Sequence, residues 1–203
     1  FRRVLFRSDQ LDAFLIAFVL PGFAFNLIGV SLNAALIPTY VQIRDQEGRA
    51  EAHRLLSSVV ALSSMLLLAV SVILALSAPF VLPLLGSGFS AEKLELTYSL
   101  FYLLLSTLVM SGLATTWGAV LNAENRFALP AVVPLATSIL SIVAVVLMAE
   151  QWGIYAFAIG SIVGAIVESG LVGWVLAREG FSLIPRWTGY SPGVRSEEHT
   201  SEL

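Results

Sequence analysis

Long apolar stretches separated by short polar segments dominate the pattern of residues along the chain. Five of them are long enough to cross a bilayer as helices, since a span needs about 20 apolar residues. None alternates between apolar and polar residues as a membrane β-strand does. We therefore predict an all-α membrane protein with five transmembrane helices at about residues 11–41, 55–85, 96–121, 128–149 and 153–177.

Prolines and glycines interrupt the first two stretches. Because proline lacks a backbone N–H and its ring clashes with the preceding turn, we expect the first helix to be bent or broken. The second helix should be interrupted late. The residues concerned are Pro21, Gly22, Gly29 and Pro38 in the first stretch and Pro79 and Pro83 in the second.

Composition supports the membrane assignment. The chain is 57% hydrophobic, only 12% charged and has a mean hydropathy of +0.86, whereas about a quarter of the residues of a globular protein are charged. So few charges cannot cover a soluble core, and the apolar side chains must face lipid. Cysteine is absent, which excludes disulfides and thiolate metal sites. The net charge of −3 does not indicate a nucleic-acid partner.

The charges between the stretches predict the orientation in the membrane, because Lys and Arg concentrate on the cytoplasmic side. Within residues 9–194, five spans divide the connecting and flanking segments into two alternating sets, of which one contains six basic residues and the other contains one. We expect the chain to enter from outside and to end in the cytoplasm. The six are Arg44, Arg49, Arg54, Arg126, Arg178 and Arg186, and the one is Lys93.

Both ends of the chain differ from its middle. Residues 1–8 (FRRVLFRS) and 195–203 (RSEEHTSEL) read as translations of one short-read sequencing adapter, because the DNA strings that encode them are reverse complements over most of their length. We expect both segments to be adapter-encoded and residues 9–194 to be the genuine sequence. The alternative is a basic membrane-surface anchor at the start and a solvated tail.

Glu168 is the one charged residue firmly inside a predicted span, where a carboxylate facing lipid is costly. Two interpretations remain open. It lines a cavity, where it hydrogen-bonds a sugar or takes up a coupling proton, or it is a neutral acid bonded to a Ser or Thr of a neighbouring helix.

The first span carries a stripe of small and polar residues on one helical face: Gly22, Asn26, Gly29 and Asn33. Amides facing hydrocarbon would lack partners, so this face must look inward. It lines either a hydrated substrate path or a closely packed helix contact. Asp12, at the outer end of the span, is either an N-cap or a gate contact, and its position favours the cap.

Two further motifs indicate helix packing and a turn. Gly160 and Gly164 form a GxxxG pair, a packing device of membrane helices. Asn122 and Arg126 close the third span in what reads as a capped cytoplasmic turn.

Enzyme signatures are missing. His53 stands in a polar loop without a nearby ligand, no phosphate-binding or dinucleotide-binding loop is present, and no pair of carboxylates lies inside a span. We expect neither catalysis nor a metal or other cofactor.

Four motifs resemble the N-terminal lobe of the MurJ/MviN lipid II flippases, a family in the superfamily of multidrug and polysaccharide exporters. They are DAFLIAFVLP at 12–21, LNAALIPTY at 32–40, APFVLPLLGSGF at 78–89 and VLNAENRFALPAVVP at 120–134. The resemblance extends in order over residues 9–194. It implies that the five spans are the second to sixth helices of one lobe of a two-lobe flippase, whose first helix and second lobe are missing.

The resemblance implies alternating access, in which two lobes rock about a cavity that carries a lipid-linked saccharide across the bacterial cytoplasmic membrane. One departure stands out. Where typical members have paired arginines after the first motif, residues 22–31 of this chain carry no charge, and a diphosphate prefers Arg or Lys contacts. Either the cations lie in the missing parts, or the substrate is another polyprenyl-linked oligosaccharide. The alternatives are a drug or cation exporter, a non-transporting membrane scaffold and, more remotely, a membrane transferase.

Overall fold

The computed structural model describes residues 8–180, except for the side chains of Ser8, Val30, Leu32 and Asn33. The two segments that we assign to an adapter lie outside this range, apart from Ser8. The described chain forms six helices: α1 (Ser8–Gln46), α2 (Arg49–Leu85), α3 (Ala91–Ala123), α4 (Ala128–Val132), α5 (Pro134–Trp152) and α6 (Tyr155–Arg178).

The five predicted crossings are confirmed. Five helical stretches are long and apolar enough to cross a membrane: Asp9–Gln46, Arg49–Leu85, Ala91–Ala123, Ala128–Trp152 and Tyr155–Arg178. Several begin before the predicted apolar limit. In α2, for example, the helix already begins at Arg49. Its first polar turns therefore precede the apolar segment predicted to begin at residue 55.

The first two helices are not broken at their prolines, so of the two possibilities for the first span, bent or broken, only the bend stays a prediction. α1 continues through Pro21 and Pro38, and α2 continues through Pro79 and Pro83. A proline removes only one hydrogen bond, and neighbouring helices of a membrane bundle can supply a substitute for it. In α2 the hydroxyls of Tyr98 and Tyr102 on α3 do so.

The fourth crossing, Ala128–Trp152, is one span as predicted, but its hydrogen-bond pattern is interrupted at Val133, whose backbone keeps helical angles (φ −60°, ψ −36°). Val133 separates α4 from α5, and Pro134 begins α5. Pro134 has no N–H to donate, and the N–H of Ala136 bonds to the carbonyl of Val133 at 2.9 Å, three residues back, in a tighter turn.

α3 lies at the centre of the bundle and packs against α1, α2 and α6, whereas α5 packs on α6. The GxxxG prediction is confirmed at this α5–α6 contact. A Cβ atom on Gly160 would lie 2.7 Å from Cα of Ser141, and one on Gly164 would lie 2.5 Å from Cα of Thr137. The backbones of α5 and α6 approach so closely that only hydrogen fits at these two positions.

Large apolar side chains cover much of the outer surface, as expected of a protein that faces lipid. Phe80 on α2 is 81% exposed, and Val146 on α5 is 76% exposed. Buried apolar side chains gather in separate clusters towards the two ends of the bundle. Leu36, Tyr40 and Val120 belong to one of them, and Phe14 and Phe101 belong to another.

Ion pairs show which helix ends lie together. At one end Nη1 of Arg126, in the turn after α3, lies 2.8 Å from Oε1 of Glu179, just after α6. At the other end Nζ of Lys93, on α3, lies 3.0 Å from Asp9 and 2.9 Å from Asp12, both near the start of α1. The described arginines therefore share one end of the bundle and Lys93 lies at the other. Arg186 lies outside the described residues.

Candidate functional site

Glu168 lies half-buried in the middle of α6, where its carboxylate meets α5. Thr137 donates a hydrogen bond from its Oγ1 to Oε2 of Glu168 at 2.9 Å. One interpretation of the sequence was that Glu168 bonds to a Ser or Thr of a neighbouring helix, and Thr137 on α5 is such a residue. The same carboxylate also lines two cavities, as the other interpretation expected, so the two environments coexist.

The two cavities meet at Glu168. The middle cavity, of about 410 Å³, is bounded by residues of α1, α3, α5 and α6: Phe18, Pro21, Gly22, Phe25, Asn26, Thr107, Leu108, Ser111, Thr115, Pro134, Thr137, Ser138 and Glu168.

The end cavity, of about 290 Å³, lies nearer the arginine-rich end of the bundle. It is lined by Ile37, Ala114, Thr115, Gly118, Ala119, Asn122, Pro130, Val133, Pro134, Glu168 and Val172. Thr115, Pro134 and Glu168 line both cavities, which together run from the end of α3 to the middle of the bundle.

Hydroxyl and amide groups, rather than cations, give the cavities their polarity. Five hydroxyl side chains, two amides and one carboxylate line them, and the lining residues include no Lys or Arg. The side chains of Ser111, Ser138 and Asn122 have no hydrogen-bond partner among the described residues. These groups are free to bond a polar guest. The hydroxyl residues are Thr107, Ser111, Thr115, Thr137 and Ser138, and the amides are Asn26 and Asn122.

Helical spacing explains why α3 supplies so many of these groups. Thr107, Ser111 and Thr115 recur every fourth residue, which places them one above another on a single face. This spacing is visible in the sequence, but it does not by itself indicate a cavity. A hydroxyl in a membrane helix usually donates its hydrogen bond to a backbone carbonyl of the preceding turn. Thr115 does this, donating to the carbonyl of Ser111 at 2.8 Å.

The described part of the stripe on α1 does not face inward uniformly: Gly29 is buried and Gly22 is half-buried, whereas Asn26 is exposed. Gly22 and Asn26 line the middle cavity, and Nδ2 of Asn26 donates to the carbonyl of Gly22 at 2.9 Å. A Cβ atom on Gly29 would lie 3.7 Å from Cγ2 of Thr115, so Gly29 packs against α3. The side chain of Asn33 is outside the described residues. The described part of the stripe therefore borders a cavity at Gly22 and Asn26 and packs against α3 at Gly29.

Asp12 is not an N-cap, so that prediction is wrong. α1 already includes residues 8–11, which places Asp12 inside the helix, where its own N–H can bond within the helix. Its Oδ2 lies 2.9 Å from Nζ of Lys93, which also lies 4.1 Å above the ring of Phe89. Asp12 thus helps to tie α1 to α3 at the end of the bundle opposite the arginines.

The capped turn after α3 is confirmed. Asn125 adopts a left-handed conformation with φ 61°, and the N–H of Arg126 bonds to the carbonyl of Leu121 at 2.8 Å. This is the closing bond of a Schellman motif. Asn122, the next-to-last residue of α3, lines the end cavity.

Sequence reasoning missed a buried polar cluster around Glu124 at this end of the bundle. Tyr40 is fully buried and donates from its hydroxyl to Oε1 of Glu124 at 2.9 Å. Nη1 of Arg44 lies 3.6 Å from the same oxygen and donates to the carbonyl of Ala123 at 3.1 Å. Nη2 of Arg49 lies 3.9 Å from Oε2 of Glu124. The sequence marks Tyr40 only as an aromatic residue near a span end, and no local pattern pairs it with a residue 84 positions away.

Comparison with known proteins gives one consistent result. The family model described as "Lipid II flippase MurJ" matches residues 1–197. The probable lipid II flippase MurJ of Synechocystis sp. is 32% identical over 129 residues, which are 64% of this chain and 24% of that protein. The lipid II flippase MurJ of Thermosipho africanus is 28% identical over 173 residues, which are 82% of this chain and 35% of that protein.

A solved structure agrees with these matches. Lipid II flippase MurJ in an inward closed conformation superimposes with a TM-score of 0.69 and 25% identity, over 84% of this chain and 36% of that chain. The chain thus spans between 24% and 36% of the length of these relatives. Since the family model matches nearly the whole chain and the fold agrees, the chain belongs to the MurJ lipid II flippase family.

Proposed function

We propose that this chain is part of the N-terminal lobe of a flippase, which moves a polyprenyl-linked saccharide across the bacterial cytoplasmic membrane for synthesis of the cell envelope. The substrate is lipid II or a related lipid-linked oligosaccharide. A first helix and a second lobe complete the transporter, and the two lobes rock about the cavity between them. No covalent bond is made or broken, and the chain needs no cofactor.

The observation that carries this proposal is the position of Glu168. It lies ten residues from Arg178 at the end of α6, or about 15 Å along the helix, and opens onto both cavities. A carboxylate this deep in an apolar bundle is costly unless it faces a polar path. Two cavities that meet at such a group are what a polar headgroup needs to reach the middle of the membrane.

The distribution of basic residues sets the direction of this path. The end that carries Arg44, Arg49, Arg54, Arg126 and Arg178 faces the cytoplasm under the positive-inside rule. The end cavity then lies nearer the cytoplasm, and α1 begins on the outer side. A substrate made in the cytoplasm would meet Asn122 before Glu168.

Each candidate residue has a role in this scheme. Asn26 and Glu168 contact the saccharide in the cavity, and Asn33 is a candidate from its sequence position alone, since its side chain is outside the described residues. Asn122 and Arg126 belong to the cytoplasmic turn, of which Asn122 faces the path. Asp12, paired with Lys93, acts as a contact of the outer gate.

Filling the middle cavity tests the proposal. The full-length protein that contains this chain is placed in lipid vesicles, and the movement of a fluorescent polyprenyl-diphosphate saccharide between leaflets is followed with a membrane-impermeant quencher. We expect transport by the unmodified protein and at least about a tenfold lower initial rate for Ser111→Trp.

The matched control is Ser106→Trp, on the same helix. Ser106 is exposed, does not line the middle cavity and bonds to the carbonyl of Leu103. This variant should keep the rate of the unmodified protein. Movement no faster than in protein-free vesicles would contradict the proposal, and so would equal rates for the two Trp variants. Drug or cation export would show instead as movement of a cationic dye without movement of the saccharide.

A further inference from the structure

A third cavity, separate from the two that meet at Glu168, lies between the start of α1 and the turn that joins α5 to α6. Its volume is about 510 Å³, within the roughly 300–1,000 Å³ of small-molecule sites. It lies at the end of the bundle that carries Lys93, which is the outer side in the proposed orientation. We call it the outer cavity, and it is lined by Gln10, Leu96 and residues 151–155.

Four side chains of the outer cavity carry polar groups that have no hydrogen-bond partner in the described part of the chain. They are the amides of Gln10 and Gln151, the indole N–H of Trp152 and the hydroxyl of Tyr155. A Cβ atom on Gly153 would lie 3.6 Å from both Oε1 and Nε2 of Gln10, so this amide lies over the α5–α6 turn. Together the four groups can both donate to and accept from the hydroxyls of a guest.

The end of α5 adds acceptors to the same place. The last carbonyls of a helix have no donor within the helix, and the N–H of Ala156, which would continue the pattern by bonding to Trp152, bonds to the carbonyl of Gly153 at 3.2 Å instead. The negative end of the helix dipole lies here, and the lining residues include no Lys or Arg. These features favour a guest that donates hydrogen bonds over a phosphate group.

Aromatic rings supply the apolar part of a sugar site. Trp152 is 50% exposed, and Tyr155 is half-buried against the cluster that contains Phe14 and Phe101. The electron-rich face of an aromatic ring offers a flat apolar surface to the C–H groups of a sugar ring. Trp and Tyr also serve as anchors at membrane surfaces, but an anchor needs no amides beside it, whereas a sugar site does.

We infer that the outer cavity binds a sugar ring of the substrate on the outer side of the membrane. The ring lies on Trp152, and the amides of Gln10 and Gln151 bond to its hydroxyls. The inference rests on the proposed function and deepens it, because it names the place that holds the saccharide once it has crossed. Since Gln10 belongs to α1 and the other groups to the α5–α6 turn, the bound sugar connects two separate parts of the bundle.

The test measures binding without transport. The full-length protein in nanodiscs of phosphatidylcholine is titrated with a soluble, uncharged disaccharide of N-acetylglucosamine, and saturation-transfer NMR gives the dissociation constant. We expect saturable binding to the unmodified protein. Trp152→Leu and Gln10→Leu should each raise the dissociation constant at least about threefold, through loss of the ring and of the amide. Trp152→Phe keeps an aromatic face and should stay within about twofold.

Two matched controls carry the same changes at the other end of the bundle. Trp174→Leu removes a tryptophan that is 53% exposed on α6, and Gln46→Leu removes an exposed amide from the last residue of α1. Neither residue lines the outer cavity, so both variants should bind the disaccharide as the unmodified protein does.

The outcomes separate the inference from the proposed function. Absence of saturable binding, or equal dissociation constants for the unmodified protein, Trp152→Leu and Gln10→Leu, overturns the inference. Displacement of the disaccharide by glycerol phosphate would identify the cavity as a site for a phospholipid headgroup and overturns it too. If the disaccharide binds as expected but no lipid-linked saccharide moves between leaflets in vesicles, the proposed function fails and the sugar site remains.

Discussion

Tyr102 donates its hydroxyl hydrogen to the main-chain oxygen of Ala75, 3.3 Å away on α2. This oxygen lacks its usual donor because the residue four positions later is Pro79. One turn along α3, Tyr98 bonds in the same way to the carbonyl of Pro79 at 3.4 Å, which Pro83 leaves without its amide partner. Two tyrosines of α3 thus replace two backbone hydrogen bonds that two prolines remove from α2.

A double-mutant cycle tests this replacement. Tyr102→Phe should destabilise the full-length protein by about 0.5–1 kcal/mol, the usual contribution of a hydrogen bond between membrane helices. In a Pro79→Ala background the loss should nearly vanish, since the introduced alanine supplies an N–H that bonds to the carbonyl of Ala75. The measurement is the free energy of unfolding from a denaturing-detergent titration.

Tyr98→Phe is the control in the same Pro79→Ala background. In that background Pro83 still supplies no N–H to the carbonyl of residue 79. The loss of stability caused by Tyr98→Phe should therefore persist. If both tyrosine substitutions lose their effect, or neither does, the hydroxyls do not substitute for the missing amides.

The contact between α5 and α6 gives a second prediction. Gly164→Ala would place a Cβ atom 2.5 Å from Cα of Thr137, and backbone cannot yield as a side chain does. We expect a loss of about 1–3 kcal/mol, typical of overpacking. Gly170→Ala on the same helix meets nothing within 4 Å and should be neutral or stabilising, because alanine favours helix. Equal effects at the two positions would show that the helices are not in this close contact.

The cluster around Glu124 gives a third prediction. Glu124→Ala removes the acceptor of the buried Tyr40 hydroxyl and should cost about 1–3 kcal/mol, as expected when a buried donor is left unpaired. Glu47→Ala, at an exposed position at the same end, should change stability by less than about 0.5 kcal/mol.

Adding Tyr40→Phe to Glu124→Ala should recover part of the loss, because the unpaired hydroxyl is then gone. If Tyr40→Phe instead lowers stability in the Glu124→Ala background by as much as it does alone, Tyr40 and Glu124 act independently.

Orientation gives a fourth prediction, tested with single cysteines in a full-length protein without other cysteines. Glu47→Cys lies between α1 and α2, and Ser87→Cys lies between α2 and α3; both positions are exposed. In intact cells an impermeant maleimide should label position 87, and it should label position 47 only after the membrane is opened. Strong labelling of position 47 from outside would reverse the orientation.

Much of the fold could be predicted because a bilayer imposes a minimum length on apolar helices. Residues 153–177 could be recognised as a span from composition alone. The effects of proline could not, since the carbonyl that Pro79 leaves without its usual donor is bonded by Tyr102, 27 positions away in the sequence. At Pro134 the hydrogen-bond pattern changes instead, and nothing in the local sequence distinguishes Pro134 from Pro79.

The candidate site was predictable only in part. Glu168 stood out because a charge inside a span is rare, and Asn26 because its stripe had to face inward. Ser111 and Ser138 became visible only once four helices were placed around a common space. The cluster at Glu124 was hidden for the same reason, because its members come from separate parts of the chain.

The close fit of α5 on α6 has a consequence for motion. Since α5 packs chiefly on α6, at the two glycines, the wall that carries Thr137 cannot slide without taking Glu168 with it. If the cavity changes its width, we expect α5 and α6 to move together as a rigid body. In the transporter that we propose, Glu168 would then keep its place beside Thr137 while the cavity changes shape, and α1, which packs chiefly on α2 and α3, is the wall that can adjust.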